Sequence, residues 1–305
     1  MVSRRSALAM ALALGLAPQV LSPTAQARTA PDPTTHDRLR FLGPALRLTV
    51  RVKVNDLGPY VFMIDTGANA SVISNELAAE LGLTANGRAL LHGIAGSAMV
   101  DRVTIDSLKT TTREAKGLQL AMAPESRIGA HGLLGLDWLG ESNLLIDYGR
   151  RRMVVGKSLP ITEGQTVAVP VRMRRNGLAL IDAVIPGVPL VTFIDSGSTT
   201  TVGNLALLEA ARRRKAVVGR TLDMDLTSVT GQTLSCTAAV LSGVRIGDLW
   251  LHRLPVVMGP IHTFDYWGLN DTPALLIGAD VLQRFQSVAL DFRRGEVRFS
   301  ISARG

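Results

Sequence analysis

Alternating apolar and polar positions dominate the chain and predict strands rather than long helices. In the first half, Ala45–Val54 and Tyr60–Ile64 read as two strands joined by a turn. In the second half, Thr166–Met173, Leu178–Ile185 and Val188–Ile194 repeat that order, with a turn after the first run. The repeated order predicts two halves with similar structures.

Each half continues with one short helix and several further strands. The helices are predicted over Ser74–Leu81 and from about Asn204 to Lys215. The remaining strands that the pattern predicts are, in chain order, Arg88–Leu91, Ala98–Ile105, Gly117–Met122, Leu222–Val229, Thr233–Val244 and Leu249–Val257. An all-β fold is therefore expected.

Two nearly identical segments end strands at matching places in the two halves. Phe62–Ala68 reads Phe-Met-Ile-Asp-Thr-Gly-Ala, and Phe193–Ser198 reads Phe-Ile-Asp-Ser-Gly-Ser. One such segment alone is typical of a strand-end turn, in which the aspartate accepts hydrogen bonds from backbone amides. The repeat instead predicts that Asp65 and Asp195 meet as a pair of carboxylates at a pseudo-twofold axis.

Two further pairs of segments follow the aspartates in the same order. Leu133–Leu139 resembles Leu276–Leu282, and Leu144–Arg150 resembles Val288–Arg294. Two repeats indicate two lobes, since a solenoid needs at least three units. We expect an N-terminal lobe over 44–156, a linker over 157–165 and a C-terminal lobe over 166–303.

The N-terminus has the pattern of an export signal. Arg4-Arg5 precedes a short apolar run, and Ala25-Gln26-Ala27 fits a cleavage site with small residues. The paired arginines also resemble a twin-arginine signal. We therefore expect residues 1–27 to be a signal peptide, residues 28–43 to be a flexible leader, and the mature protein to be periplasmic or secreted.

Composition narrows the classes of partner. Among 305 residues the formal net charge is +8, but the basic runs are short and lack the interleaved aromatic residues of a nucleic-acid platform. The apolar run near the N-terminus is too short to span a bilayer. Cys236 is the only cysteine and the five histidines lack metal-ligand spacing. We expect no nucleic-acid partner, no stable membrane insertion, no metal and no organic cofactor.

These motifs resemble those of the retropepsin-like aspartic protease family, in its bacterial form with two lobes in one chain. The family pattern is an apolar strand running into Asp-(Thr/Ser)-Gly, a glycine-bearing hairpin called the flap, and an apolar-apolar-Gly segment. The matching segments are Asp65–Ala68, His92–Gly96 and Leu133–Gly135 in the first half, and Asp195–Ser198, Ser228–Gly231 and Leu276–Gly278 in the second. We call His92–Gly96 the N-terminal flap and Ser228–Gly231 the C-terminal flap.

The resemblance implies an all-β fold of two pepsin-type lobes, with Asp65 and Asp195 as the catalytic pair in the cleft between them. It also implies that Thr66 and Ser196 cross the axis and lock the two active-site loops together. The residues expected to support those loops are Thr66, Gly67, Ser196, Gly197 and Ser198. The flap residues expected to contact substrate are Gly93, Ile94, Gly96, Thr230 and Gly231.

Two departures from the family pattern affect the expected chemistry. The flaps lack the tyrosine of pepsin-like enzymes, so Ile94 is expected to cover the substrate, with His92 beside it. Ala68 stands where the second half has Ser198, and in the family a hydroxyl at this position bonds the catalytic carboxylate. Its loss is expected to raise the pKa of the aspartate pair and to extend activity above strongly acidic pH.

The resulting hypothesis is an exported aspartic endopeptidase that hydrolyses polypeptides with an activated water and works as a monomer. Two alternatives stay open. One is a non-catalytic retropepsin-fold binding module of the cell envelope, which export and the unusual flaps permit. The other is a basic protein that binds nucleic acid or an anionic surface, with an affinity that falls steeply as salt rises.

Overall fold

The computed structural model describes residues 8–9, 36–42, 47–160, 165–175 and 178–301. Most of these residues lie in strands, so the predicted all-β fold is confirmed. The predicted turn at Asn176-Gly177 and most of the segment 1–35 lie outside the described residues.

The strands are, in chain order, β1 Leu8–Ala9, β2 Asp37–Arg38, β3 Arg40–Leu42, β4 Arg47–Val54, β5 Leu57–Ile64, β6 Val72–Ser74, β7 Arg88–Gly93, β8 Gly96–Lys109, β9 Glu114–Ala123, β10 Gly132–Leu134, β11 Asn143–Asp147, β12 Arg152–Gly156, β13 Gln165–Arg175, β14 Leu178–Ile185, β15 Val188–Ile194, β16 Val202–Asn204, β17 Val217–Thr227, β18 Thr233–Ile246, β19 Leu249–Gly259, β20 Ala274–Ile277, β21 Ser287–Asp291 and β22 Glu296–Ile301. The helices are α1 Asn75–Glu80, α2 Glu125–Ile128, α3 Leu136–Leu139, α4 Leu205–Arg213, α5 His262–Tyr266 and α6 Ala279–Leu282.

The first half forms an eight-stranded sheet in the order β3-β4-β5-β10-β6-β9-β8-β7, with β4 also pairing with β8. In β4 the inward valines Val50, Val52 and Val54 are buried, while Arg51 and Lys53 between them are exposed. This period of two is the pattern expected of a strand with one face on the core.

The second half belongs to a larger sheet in the order β1-β17-β18-β19-β16-β20-β15-β14-β13-β22-β21-β11-β12-β2. Strands β11 and β12, from the predicted N-terminal lobe, belong to this sheet, and β11 pairs with β21 of the C-terminal half. Leu144 lies opposite Leu290, and Ile146 lies opposite Val288. Two of the repeated segments therefore pair antiparallel with each other, and the predicted boundary at residue 156 does not separate two sheets.

The prediction of a flexible leader over 28–43 is wrong for its last residues. Strand β2 pairs with β12, and β3 pairs with β4. The buried Asp37 carboxylate accepts hydrogen bonds from the Thr110 hydroxyl at 2.9 Å, the Thr111 amide at 2.6 Å and the Thr112 hydroxyl. A buried carboxylate needs such donors, and they fix this segment to the N-terminal half.

Strand β1 lies inside the predicted signal peptide and pairs in parallel with Leu226 and Thr227 of β17. The signal peptide itself stays a prediction. Cleavage after residue 27 would remove β1 and leave β17 as the edge of the sheet. Within the described residues, no helix is long and apolar enough to cross a membrane.

Both main helices begin at side-chain caps. The Ser74 hydroxyl accepts from the Leu77 amide at the start of α1, and the Asn204 side chain accepts from the Leu207 amide at the start of α4. These caps satisfy amides that have no partner inside the helix. They explain why the helices begin close to their predicted starts; α4 ends two residues before the predicted Lys215.

Parallel strand pairs hold the two aspartates at equivalent places. Strand β10 pairs with β5, and β20 pairs with β15. The Asp65 amide donates to the Leu134 carbonyl, and the Asp195 amide donates to the Ile277 carbonyl, each at 3.0 Å. The apolar-apolar-Gly segments thus pack directly beside the aspartate strands, as the repeat predicts.

Replacing Asp37 by alanine should lower the free energy of unfolding by about 2–3 kcal/mol, because the two buried threonine hydroxyls and the Thr111 amide lose their acceptor. Urea denaturation of the mature protein measures this change. The matched control is Asp101→Ala, which removes an exposed carboxylate of β8 and should change stability by less than about 0.5 kcal/mol. Equal effects of the two substitutions would show that the leader does not contribute to the fold.

Candidate active site

Asp65 and Asp195 lie at the carboxyl ends of β5 and β15 and are almost completely enclosed. Their exposed fractions are 1% and 0%. A cavity of about 10 Å³ touches Asp65 beside Thr66 and Gly135, which is about the space of one water molecule. In this closed conformation a substrate reaches the carboxyl groups only after the covering residues move.

Each active-site glycine packs against the aspartate of the opposite loop. A Cβ atom added to Gly67 would collide with the Asp195 carboxyl carbon, and one added to Gly197 would collide with that of Asp65. Only glycine leaves room for this approach. The structure therefore brings together the two aspartates and the two glycines that the repeat singles out.

Thr66 and Ser196 cross between the two loops in a reciprocal set of hydrogen bonds. The Thr66 hydroxyl donates to the Ile194 carbonyl at 2.9 Å and accepts from the Ser196 amide at 3.0 Å. The Ser196 hydroxyl donates to the Ile64 carbonyl at 2.9 Å and accepts from the Thr66 amide at 3.2 Å. These bonds join the residues immediately before each aspartate, so they fix the spacing of the two carboxyl groups.

The two oxygens of each carboxyl group differ in the hydrogen bonds that they receive. Oδ1 of Asp65 accepts from the Gly67 amide at 2.9 Å, and Oδ1 of Asp195 accepts from the Gly197 and Ser198 amides at 2.8 and 3.1 Å. Oδ2 of each is buried and receives no hydrogen bond from other groups among the described residues. A proton shared between the two carboxyl groups would give these oxygens a hydrogen bond to each other.

Burial governs the protonation of the pair. It raises the pKa of Asp65 well above its ordinary value, and the charge and hydrogen bond of Asp195 raise it further. Burial also raises the pKa of Asp195 to about 6, against the opposing effects of its hydrogen bonds from Asp65, Ser198 and Gly197. Two apposed carboxyls in a dry site cannot easily both ionise, so the raised pKa of both groups favours the state in which the pair holds one proton.

The expectation about Ala68 and Ser198 is corrected by the structure. The Ser198 hydroxyl donates to the Thr200 carbonyl at 2.8 Å, and it is the Ser198 amide that donates to Asp195. Ala68 therefore removes no hydroxyl bond that the other half possesses. The raised pKa of the pair follows from burial rather than from the alanine.

The apolar-apolar-Gly segments support both loops from below. The Leu136 amide donates to the Ala68 carbonyl at 2.8 Å, and the Ala279 amide donates to the Ser198 carbonyl at 2.7 Å. Gly135 and Gly278 pack against the backbone of the adjoining loops, where a Cβ atom would lie 2.6–2.7 Å from backbone atoms. These matched contacts support the twofold relation, which stays a prediction.

The N-terminal flap forms the turn of the β7–β8 hairpin, as the sequence predicts. Its tip does not stand above an open cleft, however. Ile94 is 1% exposed and belongs to the main hydrophobic core, and its carbonyl accepts from the His262 amide at 2.8 Å. Gly96 faces the Gln232 side chain, and Gly93 accepts from the Thr263 hydroxyl at 3.5 Å.

The C-terminal flap joins β17 to β18 and rests on the opposite half. Thr230 bonds the Ser228 and Gln232 side chains, and Gly231 lies under the Arg127 guanidinium of α2. Val229, whose side chain is buried, packs with apolar residues of the N-terminal half. The Gln232 side chain donates to the Ser97 carbonyl at 2.9 Å and so connects the two hairpins.

Three residues of this site carry no signal in the sequence motifs. His262 and Tyr266 contact the N-terminal flap from α5, a helix too short to predict. The Tyr148 hydroxyl is buried without a hydrogen-bond partner among the described residues, and burial and the nearby Asp195 charge raise its pKa. Their only indication in the sequence is position: α5 precedes the repeated segment Leu276–Leu282, and Tyr148 lies within the repeated segment Leu144–Arg150.

The described residues contain no group of three histidine, cysteine, aspartate or glutamate side chains that could hold a metal ion. His131 accepts a hydrogen bond from the Val61 amide at 3.0 Å, and His252 accepts from the Trp250 indole at 2.7 Å. Each of these two bonds gives its histidine a structural role.

Residues 50–138 match a family model described as an aspartyl protease. The match covers less than a third of the chain and includes Asp65 and the Leu133–Gly135 segment, while Asp195 lies outside it. No curated protein shows significant similarity to the sequence. The matched segment is retropepsin-like, which confirms the resemblance drawn from the motifs.

Replacing Thr66 by alanine should lower the free energy of unfolding by about 2–4 kcal/mol, because a buried donor and a buried acceptor lose their partner. Thr66→Ser keeps the hydroxyl and should recover most of the loss. Urea denaturation checks both values. If Thr66→Ala and Thr66→Ser were equally stable, the crossing bonds would not hold the loops.

Asp195→Asn should raise Tm by about 5 °C at pH 8 and give no gain near pH 4. A carboxyl whose pKa is raised by folding contributes stability below its unfolded pKa, and this contribution is lost as pH rises through the folded value of about 6. Scanning calorimetry from pH 4 to 8 measures the difference, with Asp101→Asn as the exposed control. A wild-type protein that is as stable as Asp195→Asn at pH 8 would contradict the raised pKa.

Proposed function

We propose that the protein is an exported aspartic endopeptidase in which Asp65 and Asp195 activate a water molecule. The observation that carries the proposal is the burial of the two carboxyl groups side by side, with no other donor to either Oδ2 among the described residues. The aspartyl protease match supports peptidase chemistry for the half that contains Asp65. The repeated loop around Asp195 extends that argument to the second half.

The chemistry needs a base and an acid, which one shared proton provides. One carboxylate takes a proton from water while the water oxygen bonds to the carbonyl carbon of the peptide bond. The other carboxyl gives its proton to the carbonyl oxygen. When the C–N bond breaks, the first carboxyl protonates the leaving nitrogen and a hydroxyl of the intermediate returns its proton to the second. The pair ends with the single proton it began with.

Substrate access requires the flaps to open. The closed conformation encloses both aspartates, and both hairpin tips are fastened to the opposite half. An extended polypeptide can bind by strand-like hydrogen bonds to the hairpins once they move. The substrate class that fits this geometry is therefore an unfolded or extended peptide segment.

The site needs no second chain, since both aspartates and both flaps come from one polypeptide. The proposed enzyme works as a monomer, and its specific activity is independent of dilution. Export rests on the signal peptide predicted over 1–27 and places the enzyme in the periplasm or outside the cell.

The mature protein without residues 1–27 should cleave a complex peptide library at pH values above 3. Asp65→Asn and Asp195→Asn should each reduce cleavage by about 1000-fold or more, while Asp101→Asn serves as the exposed control. Burial raises the pKa of both aspartates, so the window in which the pair holds one proton shifts upward. Cleavage products identified by mass spectrometry from pH 3 to 8 test both points.

Cleavage that survives either substitution would contradict the mechanism, and an optimum sharply below about pH 3 would contradict the pKa argument. A folded monomer without any cleavage would instead favour a non-catalytic binding module. The complete enclosure of the two aspartates is the observation that supports this second function.

A further inference from the structure

Each flap tip rests on a short helix of the opposite half. The N-terminal flap lies against α5, and the C-terminal flap lies against α2 through Gly231 and Arg127. The two contacts differ in chemistry. The α2 contact is a guanidinium over a glycine, whereas the α5 contact is built around two histidines.

His92 and His262 form a direct contact between the halves. Nδ1 of His92 lies 3.0 Å from Nε2 of His262, and the rings are nearly parallel, with centroids 5.3 Å apart and planes within 7°. The centroid of the Tyr266 ring lies 4.0 Å from that of the His92 ring. His92 is 7% exposed and contacts both rings of α5.

The backbone of the same segment is also bonded to α5. The His262 amide donates to the Ile94 carbonyl at 2.8 Å, and the Thr263 hydroxyl reaches the Gly93 carbonyl at 3.5 Å. The imidazole pair therefore lies beside the flap tip, within the contact that docks the tip on α5.

We propose that the His92–His262 pair is a proton-operated latch that holds the N-terminal flap closed over the aspartates and releases it when both rings are charged. The proposal concerns the closed conformation itself; its consequence for substrate access rests on the proposed function.

The proton count explains the release. A neutral pair or a pair with one extra proton can keep one N–H···N bond between the rings. A second proton places N–H groups on both facing nitrogens, removes the acceptor and puts two like charges in direct contact. Nε2 of His92 is buried without a partner among the described residues, so a charged His92 also carries an N–H with no acceptor.

The surroundings of His92 favour its neutral form. Burial lowers the pKa of His92, and His262 lowers it further. The other titratable groups of α5 are Asp265, which accepts from the Asn270 amide group at 2.6 Å, and Tyr266. On β8 the residue opposite His92 is the uncharged Ser97, and Gln232 follows the C-terminal flap.

The sign of the effect follows from the lowered pKa. The neutral form of His92 stabilises the closed flap at pH values above about 6.5, the ordinary pKa of histidine. This stabilisation is lost as pH falls through the lowered pKa that His92 has in the closed state. The aspartate pair acts in the opposite direction, because its raised pKa favours the enclosed state at acid pH. The two effects must therefore be separated in any test.

Amide hydrogen exchange of the mature protein, followed by mass spectrometry at pH 7.5 and 5.0 and corrected for intrinsic rates, tests the latch without substrate. Measurements in the Asp195→Asn background remove most of the opposing effect of the aspartates. We expect protection of the segment 88–99 to fall at least tenfold at pH 5.0. In His92→Gln, which keeps a neutral hydrogen-bonding side chain, the protection should not depend on pH.

The control variant is His252→Gln, which changes a histidine that bonds Trp250 away from the flap and should behave like the parent. Equal protection of the flap at both pH values in the parent would overturn the latch. So would the same pH-dependent loss in His92→Gln. Because no substrate is present, a failure of the latch would be distinguishable from a failure of the peptidase proposal.

Discussion

The structure depends on holding two carboxyl groups together in a dry environment. Each of them comes from a different half of the chain, so the halves must be fixed relative to each other within a fraction of an ångström. The crossing bonds of Thr66 and Ser196 provide this at the loops. Gly67 and Gly197 permit the close approach, since any side chain there would occupy the space of the opposite carboxyl group.

The shared sheet extends the same constraint beyond the loops. Strands β11 and β21, which carry repeated sequences, pair with each other and join the halves through backbone hydrogen bonds. The segment around Asp37 adds a further strand to β12 and ties the residues before β4 to this region. Because the two halves share a sheet, they are not freely moving lobes on either side of a cleft. We therefore expect the site to open by movement of the two flap hairpins.

Local sequence patterns predict the strands, the two capped helices and the meeting of Asp65 and Asp195, because each depends on alternation, caps or an internal repeat. The remaining features depend on contacts between distant residues. The His92–His262 pair joins positions 170 residues apart, and the burial of Ile94 is set by α5, whose five residues show no clear period. The Ser198 hydroxyl could bond a carboxylate or a carbonyl, and only the loop conformation selects the Thr200 carbonyl.

Asp65 and Asp195 should act as one titrating unit. Carbon-13 NMR of the protein without residues 1–27, with labelled aspartate carboxyls, measures this, and Asp65→Asn and Asp195→Asn assign the two resonances. Both resonances should move together in two steps, the pair should keep one proton at pH 7, and the remaining aspartate of either variant should titrate in a single step. Two independent titrations near pH 3.9, the ordinary value for aspartate, would contradict it.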